Sequence, residues 1–203
     1  MLQSLILLAG YPGTGKSYLA KLLMKQFPGF EILSPDEIKE EFWDAYGFRD
    51  EQEKEELIQK SWAEYYHRME WKLARGISLL SDYPFSHKQH DQLQEVCEKY
   101  HVQIITIRMI ADLEVLFERQ KKRDLDTSRH LGHIVKEYHK GMLLTNHEEA
   151  DNLLDYDEFM QRCTCRGYGT FALGTTLQLD VTDFATAPYG ELINRMKVLL
   201  EFQ

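Results

Sequence analysis

Gly10-Tyr11-Pro12-Gly13-Thr14-Gly15-Lys16-Ser17 is the stretch on which the reading of this sequence turns. It satisfies G-x-x-x-x-G-K-[ST] without a departure. Glycines let the backbone turn tightly, so that its N–H groups converge on phosphate oxygens. A helix opening near Lys16 adds the positive end of its dipole. In such a loop Lys16 reaches the β- and γ-phosphates, and Ser17 offers its hydroxyl oxygen to Mg²⁺.

The flanks suit the motif. Leu5-Ile6-Leu7-Leu8 is a continuous apolar run, the pattern of a strand buried on both faces of a parallel sheet. After the loop, Leu19, Leu22, Leu23 and Phe27 recur at helical spacing, and Pro28-Gly29 ends the helix. Further strands are expected at Phe30–Leu33, Ile77–Ser81, Val102–Ile107 and Leu177–Val181. Ser34-Pro35-Asp36-Glu37 reads as a helix start with a capping box. A long helix is expected over about Asp50–Arg75 with Gly76 as its C-cap, and further helices over His87–Tyr100, Asp112–Arg123, Ile134–Leu143, Asp155–Arg162 and Pro188–Phe202. Asp124–His133 reads as a mobile polar loop. Strands alternating with helices predict an α/β three-layer sandwich on a parallel five-stranded sheet. The whole of 1–203 reads as one domain, with a helical lid or cap inserted at about 124–168.

Composition narrows the class. The chain has 203 residues, 43% hydrophobic and 28% charged, which is ordinary for a globular domain. Its apolar runs are too short to span a bilayer, and no secretory leader is seen, so a cytoplasmic protein is expected. The net charge of −9 shifts the reading away from a nucleic-acid partner and toward a small molecule. Cys97, Cys163 and Cys165 read as reduced thiols. Cys163-x-Cys165 and His130-x-x-His133 have no further ligand pair at zinc spacing. Trp62, Tyr65 and Tyr66 fall on helical spacing and read as core rather than as a substrate platform.

Four places carry a resemblance: Gly10–Ser17; Ser34-Pro35-Asp36-Glu37-Ile38-Lys39; Asp82 at the end of the third strand; and Leu116-Phe-Glu-Arg119-Gln-Lys-Lys-Arg123 followed by Arg129-His130-Leu-Gly132-His133. Together they resemble the P-loop kinases of the nucleoside/nucleotide-kinase-like group. The polynucleotide kinase, chloramphenicol phosphotransferase and zeta-toxin branches and the small AAA-type ATP-binding kinases are the nearest in pattern. The resemblance implies strand order 2-3-1-4-5, ATP and Mg²⁺ as cofactors, and transfer of the γ-phosphoryl to a hydroxyl of a small-molecule acceptor.

The implied nucleotide site comprises Gly10, Tyr11, Pro12, Gly13, Thr14, Gly15, Lys16, Ser17, Tyr18 and, in the stretch after the fifth strand, Thr182. The valine between Asp180 and Thr182 departs from the family's Asp-Thr register there. Ser17 and Asp82 are the Mg²⁺-side residues. Lys16, Asp36, Arg119 and Arg123 are the candidate catalytic residues, and Asp36, Lys39 and Arg129 the candidate acceptor contacts. A loose phosphoryl-transfer transition state needs an aligned oxygen more than a strong base, which suits a carboxylate opposite the loop. Arginines four apart share a helical face, and their delocalised charge suits equatorial phosphoryl oxygens. Two other readings stand beside this one: a 5′-hydroxyl polynucleotide or RNA kinase, and a nucleotide-dependent switch without an acceptor. A monomer or a homodimer is expected.

Overall fold

The computed structural model describes residues 3–201. Strand β1 (Ser4–Gly10) is buried at every position, as its unbroken apolar run requires. It lies at the middle of a five-stranded parallel sheet of order β2-β3-β1-β4-β5, with β2 at Phe30–Ile32, β3 at Ser78–Asp82, β4 at Gln103–Ile110 and β5 at Thr175–Asp180. The order and the parallel sense are those expected from the resemblance. In β1's two ladders Leu8 stands opposite Asp82 and Gly10 opposite Met109. The C-terminal ends of β1 and β3 thereby meet at the point where the strand order reverses, which is where open α/β sheets bind ligands.

The helices cover both faces of this sheet. They are α1 (Lys16–Gln26), α2 (Pro35–Tyr46), α3 (Glu51–Leu73), α4 (His87–Lys99), α5 (Leu113–Asp124), α6 (Tyr156–Cys165) and α7 (Tyr189–Glu201). Phe202, expected to close α7, lies outside the described residues. One apolar cluster joins Leu5, Leu7, Tyr65, Met69 and Phe85 on one side of the sheet. The other joins Ile6, Leu8, Leu19, Ile105 and Met196 on the opposite side. Alternate residues of β1 thus serve opposite layers, the geometry of a three-layer sandwich.

Four expectations need correction. Ile134–Leu143 is not a helix. Phe48 and Tyr138 exchange backbone hydrogen bonds across an antiparallel bridge at 2.8 Å each way, which holds this stretch extended. Its apolar residues Ile134, Val135 and Tyr138 are buried, but against Trp43, Phe48 and Leu57 of a separate cluster. The stretch 124–168 is therefore irregular chain with two 3₁₀ turns and a single α-helix, α6.

The polar loop after α5 is anchored rather than loose. Its Leu131–His133 turn packs on α2, where His133 Nε2 meets Glu40 at 2.7 Å and His130 Nε2 meets Asp44 at 3.3 Å. The capping box at Ser34–Glu37 does not form. Ser34 is the N-cap residue, with Pro35 at N1, but its side chain makes no cap bond; its hydroxyl serves Asp82 instead. The side-chain exchange of that kind belongs to α4, where Gln89 accepts from the Ser86 backbone. Finally, the C-cap of α3 is Ala74, with Gly76 two residues on in the left-handed region at φ 75°.

Gly132 explains the shape of this clasp. A Cβ there would lie 2.4 Å from Trp43 Cε3, and Trp43 is itself buried. The loop reaches α2 only because position 132 has no side chain. Gly132→Ala is expected to destabilise the protein by about 1–3 kcal/mol through overpacking, read as a lowered denaturation midpoint. A midpoint unchanged from wild type would show that the loop is not seated on Trp43.

Candidate phosphate-binding and acceptor site

The glycine-rich turn is a cradle in backbone terms. Gly10, Gly13 and Gly15 have φ of 108°, 80° and 78°, the left-handed region that disfavours side chains. Gly10 has the further constraint of contact: a Cβ would fall 1.9 Å from the Met109 carbonyl oxygen of the adjacent strand. Thr14 donates its hydroxyl to the Tyr11 carbonyl at 2.8 Å and tightens the loop from inside. Gly15 caps α1, whose first N–H groups open onto the cradle.

Lys16 is buried within this loop. Its Nζ donates to the carbonyls of Gly10 at 3.2 Å and Tyr11 at 2.6 Å, and to Thr14 Oγ1 at 3.2 Å. Burial, reinforced by the Arg123 guanidinium, lowers its pKa to about 7 against the pull of Asp82 and Asp36. Ser17 donates its hydroxyl to Asp82 Oδ2 at 2.8 Å. Burial raises the pKa of Asp82, and the hydroxyls of Ser17 and Ser34 offset part of that rise. An alcohol oxygen beside a carboxylate at the cradle's rim is the hard-oxygen donor set that Mg²⁺ takes when it bridges phosphates. The residues present fit a polyphosphate with a divalent ion.

Asp36 sits in the first turn of α2 and lines the same cavity, of about 510 Å³, as Lys16, Ser17 and Asp82. Lys39, one helical turn on, holds Asp36 at 3.1 Å and donates to the Tyr83 hydroxyl at 2.9 Å. Arg123 stands 4.0 Å from the other carboxylate oxygen. Burial pushes Asp36 up, but Lys39, His133, Arg123 and Arg129 outweigh it and hold the carboxyl well below the usual range. Asp36 is therefore a firmly ionised hydrogen-bond acceptor and a weak base. Lys39 is correspondingly raised, burial being outweighed by Tyr83 and Asp36.

The arginines divide their work. Arg123 faces Asp36, whereas Arg119 turns toward the exit of β5, donating to the carbonyls of Val181 and Thr182 at 2.8 Å each. Its guanidinium stacks on Phe184 at 3.7 Å from the ring centroid. Arg129 is partly buried at the cavity wall, 3.4 Å from Asp124 Oδ1, with loss of water around it pulling its pKa down to about 10. Its Nε finds no hydrogen-bond partner among the described residues. His133, also on the wall, is neutral above about pH 4 because burial opposes its charge; facing an ionised Glu40, its Nε2 carries the proton and donates. His130 accepts from the Gly132 N–H through Nδ1, so its Nε2 donates to Asp44. These two histidines fasten a loop; no cluster of metal-ligating side chains occurs among the described residues.

Not every expected contact faces the cavity. Thr182 accepts from the Asp112 backbone N–H and so joins β5 to the start of α5. Phe184, two residues on, lines the cavity beside Gly15 in its place. Val181 is fully buried against the second core cluster, which accounts for the extra residue in that stretch. The Tyr11 ring packs on Tyr168 and Gly169, in the segment after α6, rather than opening to the cavity. Tyr18 lines the mouth and is largely exposed, edge-on to Tyr189. Tyr65 and Tyr66 are core, as expected, with Tyr65 bonded to Ser81 at 2.8 Å.

Sequence reasoning missed Tyr83, Arg162, Arg166, Tyr168 and Phe184, all on the cavity wall. Arg162 and Arg166 were detectable by the same four-residue spacing that singled out Arg119 and Arg123. In all, Lys16 and Lys39 with Arg119, Arg123, Arg129, Arg162 and Arg166 face only two carboxylates, in a chain of net charge −9.

A central P-loop on a parallel sheet of this order, with an acidic residue beyond β2 and arginines above, is the architecture of a small P-loop kinase. The chain belongs to the AAA domain family, whose model matches residues 5–142. No curated protein sequence matches it. Among solved structures it is similar to a candidate kinase from Chloroflexus aurantiacus, with 20% identity, TM-score 0.75, and coverage of 98% of this chain and 97% of that one. A tunicamycin resistance protein from Deinococcus radiodurans matches at 14% identity and TM-score 0.53, covering 98% and 96%. A sugar kinase from Janibacter sp. HTCC2649 matches at 14% and 0.53, covering 98% and 95%. At these identities the likeness is one of fold.

The depressed pKa of Lys16 has a measurable consequence. At pH 8 an ammonium with a pKa of about 7 is mostly neutral. A polyphosphate placed against it restores the charge, so binding must take up a proton. Calorimetric titration with ATP at pH 8 is expected to show a heat that varies with the buffer's ionisation enthalpy, in the sense of uptake approaching one proton. Binding heats identical across buffers would show that Lys16 is already charged.

Proposed function

We propose that this chain is an ATP- and Mg²⁺-dependent kinase that transfers the γ-phosphoryl of ATP to a hydroxyl of a small-molecule acceptor. The observation that carries the reading is Asp36: an ionised carboxylate, held by Lys39 and Arg123, in the same cavity as the P-loop lysine. A nucleotide switch has no use for such a group opposite its phosphates.

The roles follow from the geometry. The P-loop amides and Lys16 would grip the phosphates, and Ser17 with Asp82 would hold the metal side. Mg²⁺, when bound, supplies charge neutralisation to the phosphate oxygens. Asp36 accepts a hydrogen bond from the acceptor hydroxyl and aligns its oxygen. Being a weak base, it takes the proton only as the new O–P bond forms, which suits a loose transition state. Arg123 is placed to meet charge on the transferring group, and Arg129, seated by the His130–His133 clasp, stands behind Asp36. Arg119 and Phe184 shape the rim beside Gly15, where the base of the nucleotide would lie.

Cationic charge concentrated inside a cavity of an otherwise acidic chain favours a compact acceptor over a polynucleotide, which needs a basic track across the surface. The reading sets the protein in the cytoplasm with its ATP. No helix among the described residues is long and apolar enough to cross a membrane.

Lys16→Ala is expected to weaken ATP binding by about a hundredfold or more, read as loss of the Mg²⁺–ATP thermal shift. Asp36→Asn should keep ATP affinity within a few-fold. It should lower phosphoryl transfer by about 10²–10⁴, followed by mass over a panel of hydroxyl-bearing metabolites. Full turnover in Asp36→Asn would sink the assigned role, and absence of an ATP-induced shift in the wild type would sink the kinase reading.

A further inference from the structure

The cavity above the P-loop has a side branch of about 370 Å³. Lys39, Tyr83, Arg162, Arg166 and Tyr168 border both spaces, so the branch begins where Asp36 is held and runs away from the P-loop under α6. Trp62 and Tyr83, with ring centroids 5.0 Å apart, form an aromatic wall. The nucleotide's phosphates belong to the P-loop end. A hydroxyl compound aligned by Asp36 extends into the branch.

The branch has charge to spare. Lys16 is engaged by loop carbonyls, Arg119 by the β5 exit, Arg129 by Asp124 and Arg162 by Glu158 one turn earlier in α6. Arg166 differs. Among the described residues it forms no ion pair; its side chain bonds only the Tyr168 hydroxyl, at 3.3 Å, and Tyr168 is buried. Glu51 and Glu55 also border the branch, but so do Lys54 and Lys88, so those charges offset one another; Lys39 is held by Asp36 and Arg162 by Glu158, which leaves Arg166 as the charge without an ion pair.

Resting on the kinase reading, we propose that the acceptor carries its own phosphate monoester, which docks on Arg166 with Arg162 while its free hydroxyl lies at Asp36. Two guanidinium groups four residues apart on one helical face suit a dianionic oxyanion better than a neutral sugar or antibiotic. The Trp62–Tyr83 wall packs the carbon skeleton between the two ends.

The test uses the full chain saturated with Mg²⁺ and a non-hydrolysable ATP analogue, so that the P-loop site is filled. Inorganic phosphate is then titrated at constant ionic strength, with chloride as the control. A saturable rise in melting temperature is expected for the wild type. Arg166→Gln should weaken phosphate affinity about tenfold, the loss of a charge-assisted contact, while affinity for the analogue stays within about threefold. Arg166→Lys should recover part of it, which separates lost charge from lost folding. No saturable phosphate effect beyond chloride, an effect unchanged in Arg166→Gln, or equal loss for phosphate and analogue each overturns the inference while leaving the kinase reading intact. Failure of the analogue itself to bind removes the reading on which the inference rests.

Discussion

A positive charge buried at the end of the central strand organises this protein. Lys16 cannot be there without partners: an ammonium removed from water costs several kcal/mol unless it is hydrogen-bonded and paired. The sheet supplies both. Gly10 lets β1 end against β4, which turns the carbonyls of Gly10 and Tyr11 onto Nζ. The register of β1 with β3 brings Asp82 to the same edge. Burial still wins in part, drawing Lys16 down and Asp82 up. Both groups are pressed toward neutrality, and in the proposed Mg²⁺–ATP complex each would be relieved by a ligand of the right sign: phosphate oxygens for the lysine, a divalent ion for the carboxylate. The strain in charge is thus a preformed affinity for the pair together.

The same logic explains the fold of the loop after α5. Asp36 must stay ionised close to other buried groups, and four cationic or polar neighbours keep it so. Two of them, Arg129 and His133, arrive from the loop after α5, across more than ninety residues of chain. That loop is seated by a lock on α2 built from Gly132 against Trp43, His133 on Glu40 and His130 on Asp44. The stretch Arg129-His130-Leu131-Gly132-His133 therefore acts as a unit: its glycine gives close approach, its histidines give registry, and its arginine reaches the site. His133, which donates to Glu40 as a neutral ring, specifies position without adding charge to an already cationic cavity.

How much of this was legible beforehand depended on whether chemistry or packing set the local structure. The loop Gly10–Ser17 and the buried β1 follow from residue types and their spacing, whereas the strand order and the placement of Asp36, Asp82 and Arg123 came with the kinase resemblance that those residues carry. Arg119 was legible as a position but not as a direction, because carbonyls at the exit of β5 decide where its guanidinium points. Ile134–Leu143 misled for a physical reason. Apolar residues at helical spacing bury themselves either on a helix face or, as here, singly from an extended chain against an existing apolar surface. Trp43, Phe48 and Leu57 provide that surface, and the bridge between Phe48 and Tyr138 satisfies the backbone. Ser34 shows the same competition on a smaller scale, its hydroxyl drawn from the helix end to the more demanding Asp82.

Helix α6 joins these themes. It is anchored by Phe159 and Cys163 on Leu116 of α5, while Tyr11 packs against the segment that follows it. Its apolar face therefore docks on the two elements that shape the phosphate site. Its basic face, through Arg162 and Arg166, borders the cavity. Anchoring and charge are carried by one element, so the basic wall is set by hydrophobic packing and not by the ligand. An acidic exterior around a basic interior limits the attraction to ligands small enough to enter. The specificity of such a site lies less in the P-loop, which any polyphosphate satisfies, than in how α6 and α3 divide the space beyond Asp36.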